Sequence, residues 1–185
     1  MKDKKVKDLM VSLSDYATVD EEATLFEALL ALEKAHEKLD ASKYHHRAIL
    51  VLDKNDKILG KLNQWDALKA LEPKYRKIED LEKISRTGFS PQFLKSMLIE
   101  HALWNKPLMD VCRAGGKNKV KDVMHKPTEV EFINATAPLG EAVHQLVVGQ
   151  FLSLLVVDDQ KKIIGILKLI DVFEEVFETM KSCGI

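Results

Sequence analysis

The sequence contains the same pattern twice, and this internal repeat limits the possible folds more than any other feature. The segment VKDLM begins at Val6 and VKDVM begins at Val120, an offset of 120 − 6 = 114 residues. Further on, AILVLD from Ala48 matches SLLVVD from Ser153 at an offset of 153 − 48 = 105 residues. The difference, 114 − 105 = 9 residues, indicates one insertion in the first copy. Because each offset holds over several positions, we expect two copies of one folding unit.

Each copy is predicted to contain a strand, a helix, two further strands and a second helix. Short extended segments around Val19 and Ile133 come first. The next helix begins with a capping-box pattern at Thr24 and Glu27 in the first copy, and with Pro138 in the second. The runs AILVL and LLVV are short and continuous, which is typical of strands buried on both faces. The elements predict a mixed α/β (α+β) fold.

A second matching segment follows the buried strands. GKLNQWDAL begins at Gly60 and GILKLIDVF begins at Gly165, and each contains an aspartate, Asp66 or Asp171, followed by apolar residues at helical spacing. Each segment therefore predicts a strand that runs directly into a helix.

The residues between the two copies have a pattern of their own. Ser90 and Pro91 are typical of a helix start. The apolar stripe predicted for this helix consists of Phe93, Leu94, Met97, Leu98, Ala102 and Trp104. We expect the stripe to pack either on the repeats or on another subunit. RAGGKNK, from Arg113 to Lys119, is expected to form a flexible joint before the second copy.

Composition excludes several classes of protein. With 46% hydrophobic and 31% charged residues, the chain resembles an ordinary soluble protein with a substantial core. Its formal net charge of −1 gives no basic excess for binding nucleic acid. No apolar run approaches the ~20 residues that span a bilayer, and the charged residues from Met1 to Lys7 lead into no apolar signal core, so we do not expect secretion. Two lone cysteines, Cys112 and Cys183, fit a reducing compartment, so we expect a cytoplasmic protein that contacts neither membrane nor nucleic acid.

The ordered set VKDLM…TVDEEATLFEAL…AILVLDKNDKILGKLNQWDAL, together with its second copy, resembles a tandem pair of cystathionine-β-synthase (CBS) domains. The resemblance implies two pseudo-symmetric strand–helix–strand–strand–helix repeats packed sheet to sheet. It places the first repeat at residues 3–71 and the second at 120–181, with 72–119 as a helical insertion and linker. It further implies a homodimeric sensor that binds AMP, ADP, ATP or S-adenosylmethionine in clefts between the repeats, without catalysis and without a required cofactor.

The resemblance also implies ligand contacts after the repeated glycine. Asp66 and Asp171 occupy the positions that bind ribose hydroxyls, and Asn63 and Lys168 occupy positions that usually hold Thr or Ser. A carboxylate can accept both hydrogen bonds of a cis-diol. Alternatively, Asn63 only caps the helix and Asp66 only stands in its first turn. Lys168 cannot cap, so it either reaches solvent or meets an anion such as a phosphate.

Further contacts are implied before the middle strands and along the first strands. In the first copy, His46 and Arg47 either meet a polyphosphate or belong to a hydrated loop end. The second copy has no base at this place, so phosphate specificity should be asymmetric. The remaining candidate ligand contacts are Thr18, Val19, Ala48, Phe132 and Ser153.

One alternative function is a ligand-free dimeric interaction scaffold whose helical insertion docks an unidentified protein partner. The missing Thr or Ser in both repeats favours it. We expect no enzyme, because the chain shows no coherent set of acid, base and nucleophile. We expect no metal site either, because the adjacent His45 and His46 would point to opposite faces of a strand.

Overall fold

The computed structural model describes residues 4–37, 48–78 and 89–183, and the chain forms short strands separated by helices. The strands are β1 (Val11–Ser12), β2 (Thr18–Asp20), β3 (Ala48–Leu52), β4 (Ile58–Asn63), β5 (Phe132–Asn134), β6 (Ser153–Val157) and β7 (Ile163–Lys168). The helices are α1 (Leu25–Glu37), α2 (Gln64–Leu71), α3 (Pro91–Glu100), α4 (Leu108–Gly115), α5 (Val120–Val123), α6 (Leu139–Gly149) and α7 (Leu169–Ser182). Single 3-10 turns occupy Val6–Asp8, Leu13–Asp15, Pro73–Lys77 and Glu129–Glu131. Among the residues described, no helix is both long and apolar enough to span a membrane.

The chain divides into two compact units, and neither unit is simply one sequence repeat. The terminal unit contains Met1–Ala17, Lys34–His46 and Lys126–Ile185. The central unit contains Thr18–Glu33 and Arg47–His125. The start of the first repeat therefore belongs to the terminal unit, and the start of the second repeat belongs to the central unit.

The central unit contains a three-stranded sheet in the order β2-β3-β4. β2 is parallel to β3, and β3 is antiparallel to β4. The first four residues of β3 are buried, as predicted for a strand covered on both faces. The predicted capping box before α1 is confirmed, because the Thr24 N–H donates to Glu27 Oε2 at 2.7 Å and the Glu27 N–H donates to Thr24 Oγ1 at 3.2 Å.

The terminal unit contains a four-stranded sheet in the order β1-β7-β6-β5. β5 is parallel to β6 and β6 is antiparallel to β7, which repeats the arrangement of the central sheet. α6 starts after Pro138, as predicted. The core beneath α6 and α7 includes Leu139, Leu146, Leu154 and Val172. The strand–helix–strand–strand–helix prediction is thus confirmed in both copies.

The VKDLM and VKDVM segments pack on the opposite repeat, and this exchange explains the division into units. In the terminal unit, the Val6 N–H donates to the Ala137 carbonyl at 3.0 Å. In the central unit, the Val120 N–H makes the corresponding bond to the Ala23 carbonyl at 2.9 Å. Both valines are fully buried, so each anchors its segment to the other repeat.

The repeated glycines are required by the same exchange. A Cβ atom on Gly60 would lie 2.7 Å from the His125 carbonyl oxygen, and one on Gly165 would lie 2.6 Å from the Val11 carbonyl oxygen. A methionine side chain from VKDVM or VKDLM also lies beside each glycine. Glycine is needed at both positions because the exchanged segment passes directly over the strand.

The predicted helix of the insertion begins where expected, but its apolar stripe is shorter. The Ser90 hydroxyl accepts the Phe93 N–H at 3.1 Å, which confirms the cap of α3. The helix ends at Glu100, so Ala102 and Trp104 lie in turns with φ of 46° and 53° and were wrongly assigned to the stripe. In that stripe, Met97 is buried. The remaining members, Phe93, Leu94 and Leu98, are exposed.

The prediction of a flexible joint from Arg113 to Lys119 is wrong. Arg113 and the two residues after it belong to α4, and Gly115 is buried. A Cβ atom on Gly115 would lie 2.7 Å from Leu71 Cδ2, so the glycine permits close packing of α4 on α2. The Asn118 side chain then donates to the Ala70 carbonyl at 2.9 Å. The segment that resembles a linker in the sequence is a packed helix end.

Candidate functional site

The strand register brings the candidate residues of the central unit to one end of its sheet. Thr18 begins β2, Ala48 begins β3 and Asn63 ends β4. Ala48 lies directly opposite Asn63, and Thr18 lies opposite Leu50 on the parallel neighbour. Thr18 is exposed and Val19 is half-buried. These residues, which are far apart in the sequence, therefore border one end of the sheet, where α2 begins.

Asp66 and Asn63 form a reciprocal cap at this helix start. The Asn63 side-chain oxygen accepts the Asp66 N–H at 3.0 Å, and the Asp66 carboxylate accepts the Asn63 N–H at 2.9 Å. The structural role considered from the sequence is thus confirmed. Burial raises the pKa of Asp66, although the hydrogen bond from the Asn63 N–H and the charge of His125 partly oppose this rise.

Two basic residues beside Asp66 were missed from the sequence. Lys61 lies two residues before Asn63 and is only 6% exposed, and its N–H and carbonyl pair with the backbone of His125 at 3.0 and 2.9 Å. The charges of both side chains, together with that of Lys69, partly oppose the rise that burial causes in the pKa of Asp66. A signal existed for Lys61, since its counterpart in the second repeat is the apolar Ile166 and a lysine is unusual in a buried strand.

The terminal unit places its candidate residues in the same arrangement. Phe132 begins β5, Ser153 begins β6 and Lys168 ends β7. Ser153 lies directly opposite Lys168, and both are buried. Asp171 follows in the first turn of α7. The second set of candidates is therefore also gathered at one end of a sheet.

Lys168 makes an ion pair with Asp171 and does not reach solvent. Its Nζ lies 3.1 Å from Asp171 Oδ1, and the whole residue is only 8% exposed. The solvent alternative is therefore wrong. The anion that Lys168 contacts in this structure is the carboxylate of Asp171. Burial raises the pKa of Asp171, and the hydrogen bond and charge of Lys168 oppose this rise. As expected, the Lys168 side chain does not cap the helix.

Tyr16 places a buried phenol near Asp171, and the sequence analysis did not predict a role for this residue. Tyr16 is 7% exposed, and both its burial and the negative charge of Asp171 raise the pKa of its hydroxyl. The corresponding residue of the second repeat, at an offset of 130 − 16 = 114, is Val130. An aromatic hydroxyl in only one copy was the available signal.

Some candidates cannot be placed at these sites. His46 and Arg47 lie outside the described residues. Across residues 4–37, 48–78 and 89–183, no group of three His, Cys, Asp or Glu side chains is arranged to hold a metal ion. Both cysteines are free and exposed.

Comparison with solved structures supports the fold. A CBS domain-containing protein of unknown function from Bacillus anthracis is 18% identical, with a TM-score of 0.60 over 96% of this chain and 95% of that one. CBSX2 in complex with AMP is 20% identical, with a TM-score of 0.57 over 95% and 98%. A protein from Methanocaldococcus jannaschii is 16% identical, with a TM-score of 0.56 over 95% of this chain, which spans only 60% of that protein. At sequence identities this low, the comparisons show only that the fold is shared.

Comparison with protein families assigns the chain directly. Curated proteins gave no match. The sequence model of the CBS domain, however, matches residues 6–73 and 120–178. These regions contain both exchanged segments, both sheets and both candidate helix starts. Since they make up more than half of the 185 residues, the chain belongs to the CBS domain family and contains a tandem pair of the domains.

Proposed function

We propose that this CBS domain pair, a regulatory module, senses an adenine nucleotide or another adenosyl ligand such as AMP, ADP, ATP or S-adenosylmethionine. Support comes from the family and from the AMP complex of CBSX2, which has the same fold. Proteins built from CBS domains are generally regulatory, so we propose binding without catalysis. A cytoplasmic location remains a prediction.

The observation that carries the proposal is the charge around Asp66 in the central unit. The positive charges of His125, Lys69 and Lys61 all act on this carboxyl and partly oppose the rise of its pKa. In the terminal unit, by contrast, Lys168 is matched by Asp171 at 3.1 Å. Basic side chains next to a carboxylate that can bind ribose hydroxyls favour a phosphate-bearing ligand. We therefore propose that the central unit binds the nucleotide more tightly.

Each candidate residue of the central unit then has a role. The Asp66 carboxylate accepts hydrogen bonds from the ribose hydroxyls, while Lys61 and His125 attract the phosphate. Thr18 and Val19 border the adenine at the start of β2. Among the remaining candidates, we propose that His46 and Arg47 extend the phosphate contacts and that Ala48 and Asn63 contribute backbone groups.

The terminal unit is proposed as a second, weaker site. Asp171 there has to exchange part of its contact with Lys168 for the ribose hydroxyls, and this exchange reduces the net gain of binding. Ser153 and Phe132 border the same end of the sheet. A neutral adenosyl group fits this unit better than a nucleotide with several phosphates.

Thermal unfolding with AMP, ADP, ATP, S-adenosylmethionine and GTP tests the proposal. A ligand at ~100 times its dissociation constant should stabilise the protein by about 2.7 kcal/mol, or roughly 5–10 °C for a domain of this size. Asp66→Asn keeps an oxygen for the helix cap but removes the charge, so it should abolish most of the shift. Asp171→Asn serves as the matched variant and should retain it. No shift with any adenosyl ligand, in protein freed of carried-over nucleotide, would reject the sensor.

The insertion favours one alternative, an interaction scaffold that docks a protein partner. Leu94 and Leu98 on α3, and Leu108 and Met109 on α4, are exposed apolar side chains. Large exposed apolar patches are typical of interaction sites. Absence of ligand shifts, together with a partner whose binding is lost in Leu94→Ser, would support the scaffold in place of the sensor.

A further inference from the structure

The first helix of the insertion, α3, is attached to the central unit by few side chains. Within Pro91–Glu100, a range that the structure describes completely, Met97 is the one buried residue. Leu103, three residues beyond the helix end, is the next buried side chain. By contrast, α4 buries both Val111 and Gly115 and packs on α2. A helix that buries so little of its surface opens locally at a low cost in free energy. The two helices of the insertion therefore differ in how firmly they are held.

The turn that ends α3 places an alanine in a backbone conformation that favours glycine. The Leu103 N–H donates to the Leu98 carbonyl at 3.0 Å, and the Ala102 N–H donates to the Ile99 carbonyl at 3.1 Å. These two bonds form a Schellman motif, in which the residue at the position of Ala102 is left-handed and usually glycine. Ala102 has a φ of 46° in this motif. Because its methyl group disfavours this φ, the turn is strained.

A second strained residue, Trp104, follows two positions later and is held by side chains from the end of α2. Its φ of 53° is rare for a bulky residue. The Trp104 N–H donates to Glu72 Oε2 at 2.8 Å, and its indole N–H donates to the Tyr75 hydroxyl at 3.0 Å. Lys74 Nζ donates to the Ala102 carbonyl at 2.5 Å. Glu72, Lys74 and Tyr75 are here called the clasp. A strained backbone persists only where its surroundings fix it, so the clasp keeps the turn in this conformation.

Glu72 is the central member of the clasp. It directly follows α2, and it is only 7% exposed. Its carboxylate accepts the Lys74 N–H at 3.4 Å as well as the Trp104 N–H. Hydrogen bonds to a charged acceptor are stronger than those between neutral groups. If the Trp104 bond breaks, water has to reach the buried carboxylate in its place. The clasp is therefore either closed around the turn or open to water.

We propose that the clasp is a conformational switch that determines whether α3 lies against the central unit. When the clasp is closed, Met97 and Leu103 are buried. When it opens, the strain at Ala102 and Trp104 is relieved and Glu72 is hydrated, while α4 stays packed on α2. α3 already exposes four large apolar side chains, those of Phe93, Leu94, Leu98 and Ile99. Opening adds the two buried side chains to these four, so the switch controls how much apolar surface the insertion presents.

The switch is particular to this chain. The CBS domain model matches residues up to 73 and resumes at 120, so Lys74, Tyr75 and the strained turn lie outside it. At the offset of 105 residues, Glu72 corresponds to Phe177, which lies inside α7. The second repeat therefore continues its helix where the first repeat begins the clasp. None of the clasp residues belongs to either candidate nucleotide site, so the switch is independent of the proposed ligand.

Hydrogen–deuterium exchange of the full chain, measured without nucleotide, tests the switch. In wild type, the amides from Leu94 to Trp104 should exchange faster than those of α4. Glu72→Ala removes the charged acceptor, so it should accelerate exchange of these amides by about 10–100-fold and leave α4 unchanged. Ala102→Gly relieves the strain of the closed turn, so it should slow the same amides by roughly 2–5-fold. Glu72→Gln keeps an oxygen for the Trp104 N–H and should lie between wild type and Glu72→Ala.

Two results would overturn the switch. One is exchange of α3 and α4 at the same rate in wild type, which would show that the insertion opens as one piece. The other is equal acceleration of α3, α4 and β3 in Glu72→Ala, which would show that Glu72 only supports the whole unit. If Glu72→Ala does not fold, Ala102→Gly decides the question, and unchanged exchange of α3 in that variant would also reject the proposal.

Trp104 fluorescence provides a second measurement of the same opening. The chain has two tryptophans, so a Trp65→Phe background leaves Trp104 as the one indole. Trp104 is half-buried in the closed clasp. In this background, quenching of its emission by acrylamide should rise in Glu72→Ala and fall in Ala102→Gly. Quenching that is the same in both variants would contradict the switch.

Discussion

Asp66 and Asp171 occupy the same position in the two repeats, but their partners differ. Asp66 exchanges hydrogen bonds with the neutral side chain and backbone of Asn63. Asp171 lies 3.1 Å from the ammonium group of Lys168 and near the buried hydroxyl of Tyr16. Burial raises the pKa of both carboxyls, so each has to be stabilised by what surrounds it. The chain thus stabilises the same helix start in two ways.

The difference shows that a repeated backbone does not repeat its electrostatics. The neutral Asn63 side chain accepts a backbone N–H of α2 but does not balance the charge of Asp66. That charge interacts instead with basic neighbours, among them Lys61 and His125. An ion pair cancels the charge of Asp171 directly but leaves α7 without a side-chain cap. Two repeats with the same order of strands and helices can therefore differ in the charge that they present to a ligand.

The largest effect is expected from Lys168→Met, which removes the ion pair of the terminal unit. The carboxylate of Asp171 would remain largely buried, and breaking such a pair should cost about 3 kcal/mol of unfolding free energy. Urea unfolding at neutral pH measures the loss. Part of it should be recovered in acid, where Asp171 becomes protonated in the folded variant.

Arg113→Met is the matched control for this change. Arg113 lies 3.8 Å from Asp110, also three residues away on one helix, but both side chains are more than half exposed. An exposed pair of this kind should contribute about 0–1 kcal/mol. Equal losses in the two variants would show that burial of the Lys168 pair has no energetic consequence.

A smaller effect, about 2 kcal/mol, is expected from Gly60→Ala or Gly165→Ala. Each new methyl group would lie less than 3 Å from a carbonyl oxygen of an exchanged segment, so the backbone would have to move. The two losses should be similar, because the exchange is the same in both units. Gly140→Ala, where nothing lies within 4 Å of the new Cβ, should be neutral or slightly stabilising in the same thermal unfolding assay. Tolerance of alanine at both positions would contradict the close approach.

The smallest effect is a change in pH dependence with Asp66→Asn. Because the pKa of Asp66 is raised in the folded protein, wild type loses stability as pH rises through the ordinary range of aspartate and up to the folded value. The variant lacks this titration but keeps an oxygen for the cap. Relative to wild type, it should therefore become more stable from about pH 3 to pH 7 in urea unfolding.

Glu27→Gln gives the opposite sign and serves as the control. Backbone and side-chain hydrogen bonds from Thr24 lower the pKa of Glu27, so wild type gains stability as pH rises. That variant should lose stability relative to wild type over the same range. Parallel pH curves for the two variants would disprove the difference between the two capping boxes.

Much of the fold was predictable because local patterns determine it. The buried runs of β3 and β6, the cap of α1 and the helices that contain each aspartate all follow from spacing and residue type. The insertion was harder to predict. Arg113 to Lys119 resembles a linker because of its glycines, but Gly115 is there to let α4 approach Leu71, and only the packed structure shows this contact.

The candidate sites were predictable in part. The positions of Asp66 and Asp171 follow from the repeat alone, and the strand register brings Ala48 opposite Asn63 and Ser153 opposite Lys168. His125 and Tyr16 were missed because each comes from a segment that is not adjacent to the helix start in the motif. Lys61 lies inside the motif, but only the folded sheet shows that it is buried there. Their proximity depends on strand pairing and on the exchange of segments between repeats.

The sequence by itself determined the repeat, the order of its elements and the two aspartates, because offsets and periodicity are properties of the chain alone. Only the tertiary structure decided that the VKDLM and VKDVM segments pack on the opposite repeat, that Lys168 is buried against Asp171 and that the clasp holds the strained turn after α3. These features depend on burial and on contacts between distant residues. Such contacts form only when the whole unit excludes water, and local patterns do not encode them.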